Sequence, residues 1–152
     1  MHSHVLCIGI LVLGAFITQP AFAQHSEAGH AMPLDQVQFH AGKKMPCLSS
    51  AAETGDPDTG PSTEILKASK DCVVPWHYHT AEEQLFVAGG TLLTEMEGMP
   101  AATLGRGGFA VMRGKQKHQF TCRSTDPCIV FVAFNQKYDI VWVDTGASSP
   151  KP

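Results

Sequence analysis

From residue 63 onward the chain breaks into short apolar-polar runs separated by turn residues. Thr63-Glu-Ile-Leu-Lys-Ala-Ser69, Val73 to His79, Glu83-Gln-Leu-Phe-Val-Ala88 and Thr91-Leu-Leu-Thr-Glu-Met-Glu97 each have strand length. So do Phe109-Ala-Val-Met112, His118-Gln-Phe-Thr-Cys122, Cys128-Ile-Val-Phe-Val-Ala-Phe134 and Asp139-Ile-Val-Trp-Val143. Gly89-Gly90, Gly98-Met-Pro100 and Gly107-Gly108 punctuate them, the first as a hairpin signal. No long helical periodicity stands out. Many short strands with evenly spaced turns predict an all-β domain: a sandwich, a jelly roll or a small barrel. Alternation places Glu83, Leu85 and Val87 on one strand face, and His118, Phe120 and Cys122 on one face of another. The wall between them is expected to be apolar, with Met112 and Phe131 either lining it or serving as core filler.

The pattern is weaker upstream. Residues 24 to about 34 read as an N-terminal arm, and Val37-Gln-Phe-His40 as a first short strand. Cys47 to Ser62 is dominated by Ser, Ala, Gly, Asp and Pro and predicts a long loop. Val5 to Ile17 is an uncharged apolar run, shorter than the roughly twenty residues a bilayer crossing needs. Small residues follow at Ala21 and Ala23, so 1–23 is expected to be a secretory signal peptide, with His2 and His4 where Lys or Arg is usual. The competing reading is a buried N-terminal helix. The expected organisation is signal peptide 1–23, arm and loop 24–62, β-barrel 63–144 and frayed tail 145–152, with no membrane span after signal removal and a periplasmic or secreted location.

Composition narrows the partners. The 152 residues carry a formal charge of -3 without a basic cluster, which excludes nucleic acid as an expected partner because phosphate binding needs a Lys/Arg patch. Once Cys7 leaves with the signal, Cys47, Cys72, Cys122 and Cys128 remain, an even number suited to an oxidising compartment. Of the three possible pairings, Cys122–Cys128 with Cys47–Cys72 is preferred, because Arg123-Ser-Thr-Asp-Pro127 is turn-rich. Buried free thiols are the alternative.

The chemistry concentrates in Pro75-Trp-His77-Tyr-His79-Thr-Ala-Glu-Glu83, with His118 later. Residues i and i+2 of a strand share a face about 7 Å apart, so His77 and His79 can aim at one point. A turn at Thr80-Ala-Glu82 would bring Glu83 beside them on the next strand, and His118 would close the set. Three neutral imidazoles and one carboxylate suit one divalent ion: Mn, Fe, Ni, Co or Zn. The alternative is a hydrogen-bonded polar cluster without metal, which burial makes costly unless satisfied. His25, His30 and His40 are too irregularly spaced for a second site, and Met96, Met99 and Met112 form no copper pattern. Ser-His-Asp chemistry lacks a Gly-x-Ser-x-Gly turn.

These residues resemble the cupin motifs. The first motif is a Gly, five residues, His-x-His, three or four residues, Glu, six residues, Gly. His77, His79, Glu83 and Gly90 match it in register, and Asp71 replaces the leading Gly. The second is a Gly, five residues, Pro-x-Gly-x-x-His, three residues and Asn. Gly107 and His118 fit it, whereas Arg113, Lys115 and Cys122 replace Pro, Gly and Asn. The loop Arg113-Gly-Lys-Gln-Lys117 is therefore expected to be an unusual, basic pocket entrance. The resemblance covers about Thr63 to Val143 and implies a double-stranded β-helix (jelly-roll) cupin barrel. It also implies Glu83 rather than Glu82 as ligand, and a homodimer. It further implies a metal-dependent, dioxygenase-type oxidoreductase acting on a small molecule. A non-catalytic module that binds a small ligand or senses metal is the alternative, favoured by the lack of an obvious second catalytic acid or base. A degenerate structural barrel is a third reading.

Overall fold

The computed structural model describes residues 29–144; the expected signal peptide, the start of the expected arm and the expected tail lie outside the described residues. Among the described residues, eleven strands follow a single 3-10 turn at Leu34–Gln36. They are β1 (His40–Ala41), β2 (Leu48–Gly55), β3 (Ser62–Ala68), β4 (Val73–Tyr78), β5 (Glu83–Gly89) and β6 (Leu92–Met96). The remainder are β7 (Ala102–Leu104), β8 (Phe109–Met112), β9 (His118–Cys122), β10 (Cys128–Phe134) and β11 (Val141–Trp142).

All pairings are antiparallel, and the strands form two sheets ordered β1-β2-β3-β10-β5-β8 and β11-β4-β9-β6-β7. From β3 to β6 the chain changes sheet at every connection, and it does so again from β8 to β11. This is the jelly-roll barrel, and its crossing pattern sets β4 and β5 on opposite walls although only four residues separate them. Leu85, Val87, Leu92, Phe120, Val130 and Val132 fill the interior, none more than 3% exposed. Burying a side chain of this size stabilises the fold by about 1.5–3 kcal/mol.

Three expectations change. The loop expected over Cys47 to Ser62 contains β2, which pairs with β3 from Leu48↔Ala68 to Gly55↔Ser62. Its Ser-Ser-Ala-Ala-Glu-Thr core has little β propensity, so the strand is made by backbone pairing to β3 rather than by side chains. The Cys47–Cys72 bond anchors its start. Turn chemistry does appear after it, where Asp56 accepts hydrogen bonds from Asp58 N and from Thr59 Oγ1 at 2.9 and 3.0 Å. The first strand expected at Val37–His40 is only the two-residue β1. The strand expected at Asp139–Val143 shrinks to Val141–Trp142, because Asp139 turns its carbonyl and carboxylate toward His79 and Thr80.

Met112 is buried as expected, whereas Phe131 points outward at 39% exposure. An unbroken apolar run hides the phase of a strand; here Cys128, Val130, Val132 and Phe134 take the inner face. Phe131 pairs with Phe86, which pairs with Phe109, so three phenylalanines cross the outer face of the first sheet. Both preferred disulfides form, Cys47–Cys72 and Cys122–Cys128.

Among the described residues, the two non-glycine residues with positive φ are Asp71 (58°) and Lys115 (66°). They occupy the two of the four motif glycine positions at which another residue stands. The turns have kept the left-handed backbone while changing the residue, at a cost of roughly 1–2 kcal/mol for an ordinary side chain and less for Asp. Lys115→Gly is expected to stabilise the protein by about 1 kcal/mol and Asp71→Gly by less, after allowing for the greater freedom of glycine in the unfolded chain. Denaturant midpoints check this; a lower midpoint for Lys115→Gly contradicts it.

Candidate metal centre

His77 lies on β4 directly opposite His118 on β9, a register pair that brings their rings edge to face with centroids 4.2 Å apart. The β4–β9 ladder shifts register between Val74 and His77, at Pro75, which has no N–H to give it. His79 follows at the end of β4, and Glu83 begins β5 on the facing sheet. The four expected residues therefore meet, each 5% exposed or less, with one ligand atom apiece inside a mutual distance of 4.8 Å.

Ring orientation follows from the main chain. His77 Nδ1 donates to Pro75 O at 2.6 Å, His118 Nδ1 donates to Gln116 O at 2.8 Å, and His79 Nδ1 donates to Asp139 O. A carbonyl only accepts, so Nδ1 carries the proton and Nε2 of a neutral ring presents a lone pair. Glu83 Oε2 lies 3.2 Å from Nε2 of both His79 and His118. With neutral rings no hydrogen stands between these atoms, and Glu83 Oε2 and His118 Nε2 are buried without a hydrogen-bond partner. Such converging lone pairs need a cation or added protons. Ligands about 2.0–2.2 Å from one ion lie roughly 3–4.4 Å from each other, so small shifts would let this group hold one divalent ion.

Electrostatics agree. Burial, reinforced by His118, lowers the His77 pKa to about 4. Burial opposes charge on Glu83 as well, yet the flanking His118 and His79 hold its carboxyl down at about 2. Burial works against protonation of His79, but Glu83 and the Asp139 carbonyl prevail and raise its pKa.

The cluster opens into a cavity of about 320 Å³ walled by Leu66, Val74, Phe120, Val132, Phe134 and Ile140. The loop Arg113–Lys117, expected at the entrance, contributes no lining residue; Gly42 to Met45 do. Instead, Lys115 N donates to His79 O at 2.7 Å and Arg113 pairs with Glu82, so the altered loop clamps the ligand turn from outside. A Cβ on Gly114 would approach Thr80 O to 2.6 Å, which keeps that contact close.

Two lining residues escaped the sequence reading. Glu64 on β3 faces the cavity, and burial together with the charge of Glu83 raises its pKa. Its alternation with Leu66 and Ala68 was a visible signal, since it set a carboxyl on an apolar face. Tyr138 packs 5.3 Å from the His79 ring, and burial, with Glu64 next, pushes its phenol up to about 12. Nothing in the local sequence pointed to it.

The cluster makes two measurable demands. Titrating metal-stripped protein with Zn²⁺ should reach one ion per chain and raise Tm, by about 2.7 kcal/mol of stability at a hundredfold excess over Kd. His77→Ala/His118→Ala should lose both effects; an equal Tm rise in the variant would refute the assignment.

Metal-free protein should also lose stability on acidification. His77 titrates at about 4 in the fold against 6.5 normally, so between those values the unfolded chain binds a proton the fold refuses. Glu83, at about 2 against 4.5, extends the loss to lower pH. The contribution of His79 runs the other way, complete below 6.5 and lost as pH rises through its raised value. Denaturation midpoints that climb as pH falls from 6.5 to 4 would contradict this sign.

The comparisons with known proteins agree with the geometry. The Cupin domain model matches residues 67–134. No curated protein sequence matches the chain. Among solved structures, KdgF from Halomonas sp. is similar at 17% identity and TM-score 0.58, over 68% of this chain and 92% of that one. The DMSP lyase DddQ from Ruegeria pomeroyi DSS-3 is similar at 19% identity and TM-score 0.62, over 74% and 64%. The polyketide cyclase RemF from Streptomyces resistomycificus is similar at 13% identity and TM-score 0.65, over 78% and 89%. Motif register, family model and jelly-roll architecture together identify residues 67–134 as a cupin domain.

Proposed function

We propose that this chain is an exported, metal-dependent cupin enzyme acting on a small molecule, with His77, His79, Glu83 and His118 as the ligands of one divalent ion. The observation that carries the reading is the convergence of four buried ligand atoms, three of them imidazole Nε2, at the foot of an apolar cavity. The bound ion would supply Lewis-acid or redox chemistry at its open positions.

The rest falls to the chain's own residues. Apolar walls exclude water and orient the substrate. Glu64 faces the cavity with its pKa raised by burial and by the charge of Glu83, and is the carboxyl placed to exchange a proton with a bound molecule, the role of a general acid-base. Tyr138 keeps its phenolic proton and serves as a fixed donor. The second acid-base group missing from the motif analysis is thus available, which favours an enzyme over a passive binding module. Proton-transfer chemistry, in keeping with neighbours named as a lyase and a cyclase, is the reaction class these residues support best. The dioxygenase-type oxidoreductase implied by the family resemblance is the second reading, distinguished by its consumption of oxygen.

Export is supported by the signal-like 1–23 segment and by two disulfides, which persist in oxidising compartments. No helix among the described residues is long and apolar enough to cross a membrane. The homodimer implied by the resemblance would bury the exposed row of Phe86, Phe109 and Phe131.

The test compares metal-loaded, metal-stripped and Glu64→Gln protein on a panel of small organic acids, phenols, thiols and diketones, followed by NMR and oxygen uptake. Metal-dependent turnover is expected, with Glu64→Gln retaining its ion and losing about 10²–10⁴-fold in kcat. Turnover accompanied by stoichiometric oxygen uptake would select the oxidoreductase reading. Stoichiometric metal without turnover would leave a binding module.

A further inference from the structure

We infer that the cavity selects a small organic anion, a carboxylate with an apolar body, and that Lys43 and Lys44 on its rim read the charge. The inference deepens the proposed function and rests on it for the metal, but the lysines stand apart from the ligand cluster.

Lys43 and Lys44 line the same cavity as the ligand cluster, at its solvent side, and both are exposed. Among the described residues neither makes an ion pair, whereas Arg113 is paired with Glu82 and Lys117 with Glu97. Their charge is therefore available to whatever enters.

The turn that carries them is held in place. Gly42 N donates to Leu48 O at 2.9 Å, and Leu48 N donates to Met45 O at 3.0 Å. Cys47 O accepts from Ser69 N at 2.9 Å, and the Cys47–Cys72 disulfide ties the foot of the turn to the β3–β4 connection. Rim cations presented by a fixed turn cost less ordering on binding than cations on a mobile loop.

The charge inside the cavity points the same way. The two lysines offset Glu64 and Glu83, so a divalent ion leaves the lining net positive. Tyr138 adds a phenolic donor. An anion can meet the ion at the base and the lysines at the mouth, while a cation would face like charge at both ends. The walls are apolar, so a molecule that remains strongly hydrated on all sides, such as inorganic phosphate, is poorly served. The volume of about 320 Å³ stands at the small end of ligand pockets, roughly 300–1,000 Å³. A compact carboxylate meets all of these conditions.

The experiment uses benzoate and its uncharged isostere benzamide as probes, with calorimetry on Zn²⁺-loaded and metal-stripped protein. The proteins are the unmodified chain, Lys43→Gln/Lys44→Gln, and the charge-keeping Lys43→Arg/Lys44→Arg. Benzoate is expected to bind at least about tenfold tighter than benzamide, one decade of affinity being a modest electrostatic gain. The Gln pair should weaken benzoate about fivefold and flatten its salt dependence, the Arg pair should restore both, and Zn²⁺ stoichiometry and Tm should stay unchanged.

Equal affinity for benzoate and benzamide, absence of benzoate binding at millimolar concentration, or a Gln pair that binds benzoate like the unmodified protein would each overturn the inference. Failure of the metal reading is seen separately as absence of stoichiometric Zn²⁺. In that case the effect of the lysines on benzoate is still read in the metal-stripped protein.

Discussion

Three imidazoles and a carboxylate can all turn lone pairs to one cation in a buried volume only if no ring points its proton inward. Each histidine meets that condition by donating Nδ1–H to a main-chain carbonyl: Pro75 for His77, Gln116 for His118 and Asp139 for His79. Two of these acceptors lie two residues before their histidine, so the strand orients its own ring. The third is sixty residues away and exists only once the β10–β11 segment has folded over the end of β4. Removing that carbonyl would free the His79 ring to turn, which makes a chain position with no chemistry of its own part of the centre's construction.

The jelly-roll crossing supplies the rest. Because β4 and β5 belong to different sheets, the short turn Thr80–Glu82 carries the chain across the interior, setting Glu83 against the histidines rather than beside them along one strand. The same crossing brings β3 and its Glu64 to the cavity from the far wall. A site assembled from both sheets is as rigid as their packing, and its neighbours Val132, Phe134 and Phe120 are buried core residues. Stability and site geometry therefore depend on the same side chains.

The departures from the cupin motif turn out to be conservative in backbone and inventive in side chain. Asp71 and Lys115 keep the left-handed turns that glycine usually makes. Arg113, in place of a proline, reaches Glu82, while Lys115 N–H holds the His79 carbonyl. The basic loop thus braces the turn before Glu83, and the exposed cations on the cavity lining are Lys43 and Lys44.

Local chemistry made much of this legible in the chain. The i, i+2 spacing of His77 and His79, the turn before Glu83, the punctuated strands and the turn-rich link between Cys122 and Cys128 are short-range signals, and each concerns residues that are neighbours in sequence. What stayed hidden depended on distant pairing. The strand at Leu48–Gly55 has almost no propensity of its own and exists because β3 offers its edge. The inward face of Cys128–Phe134 could not be phased until β3 and β5 flanked it. Glu64 showed only as a carboxyl on an apolar face, while Tyr138, the lysine rim and the Asp139 carbonyl join the site across separations that no periodicity reports. The amino-acid sequence alone determined the grouping of His77, His79, Glu83 and His118 and the strand-rich architecture, because side-chain alternation and turn chemistry act over a few residues. Only the tertiary structure decided which carboxyl, phenol and cations share the cavity with that group, because that follows from which strands cross the barrel and in what register.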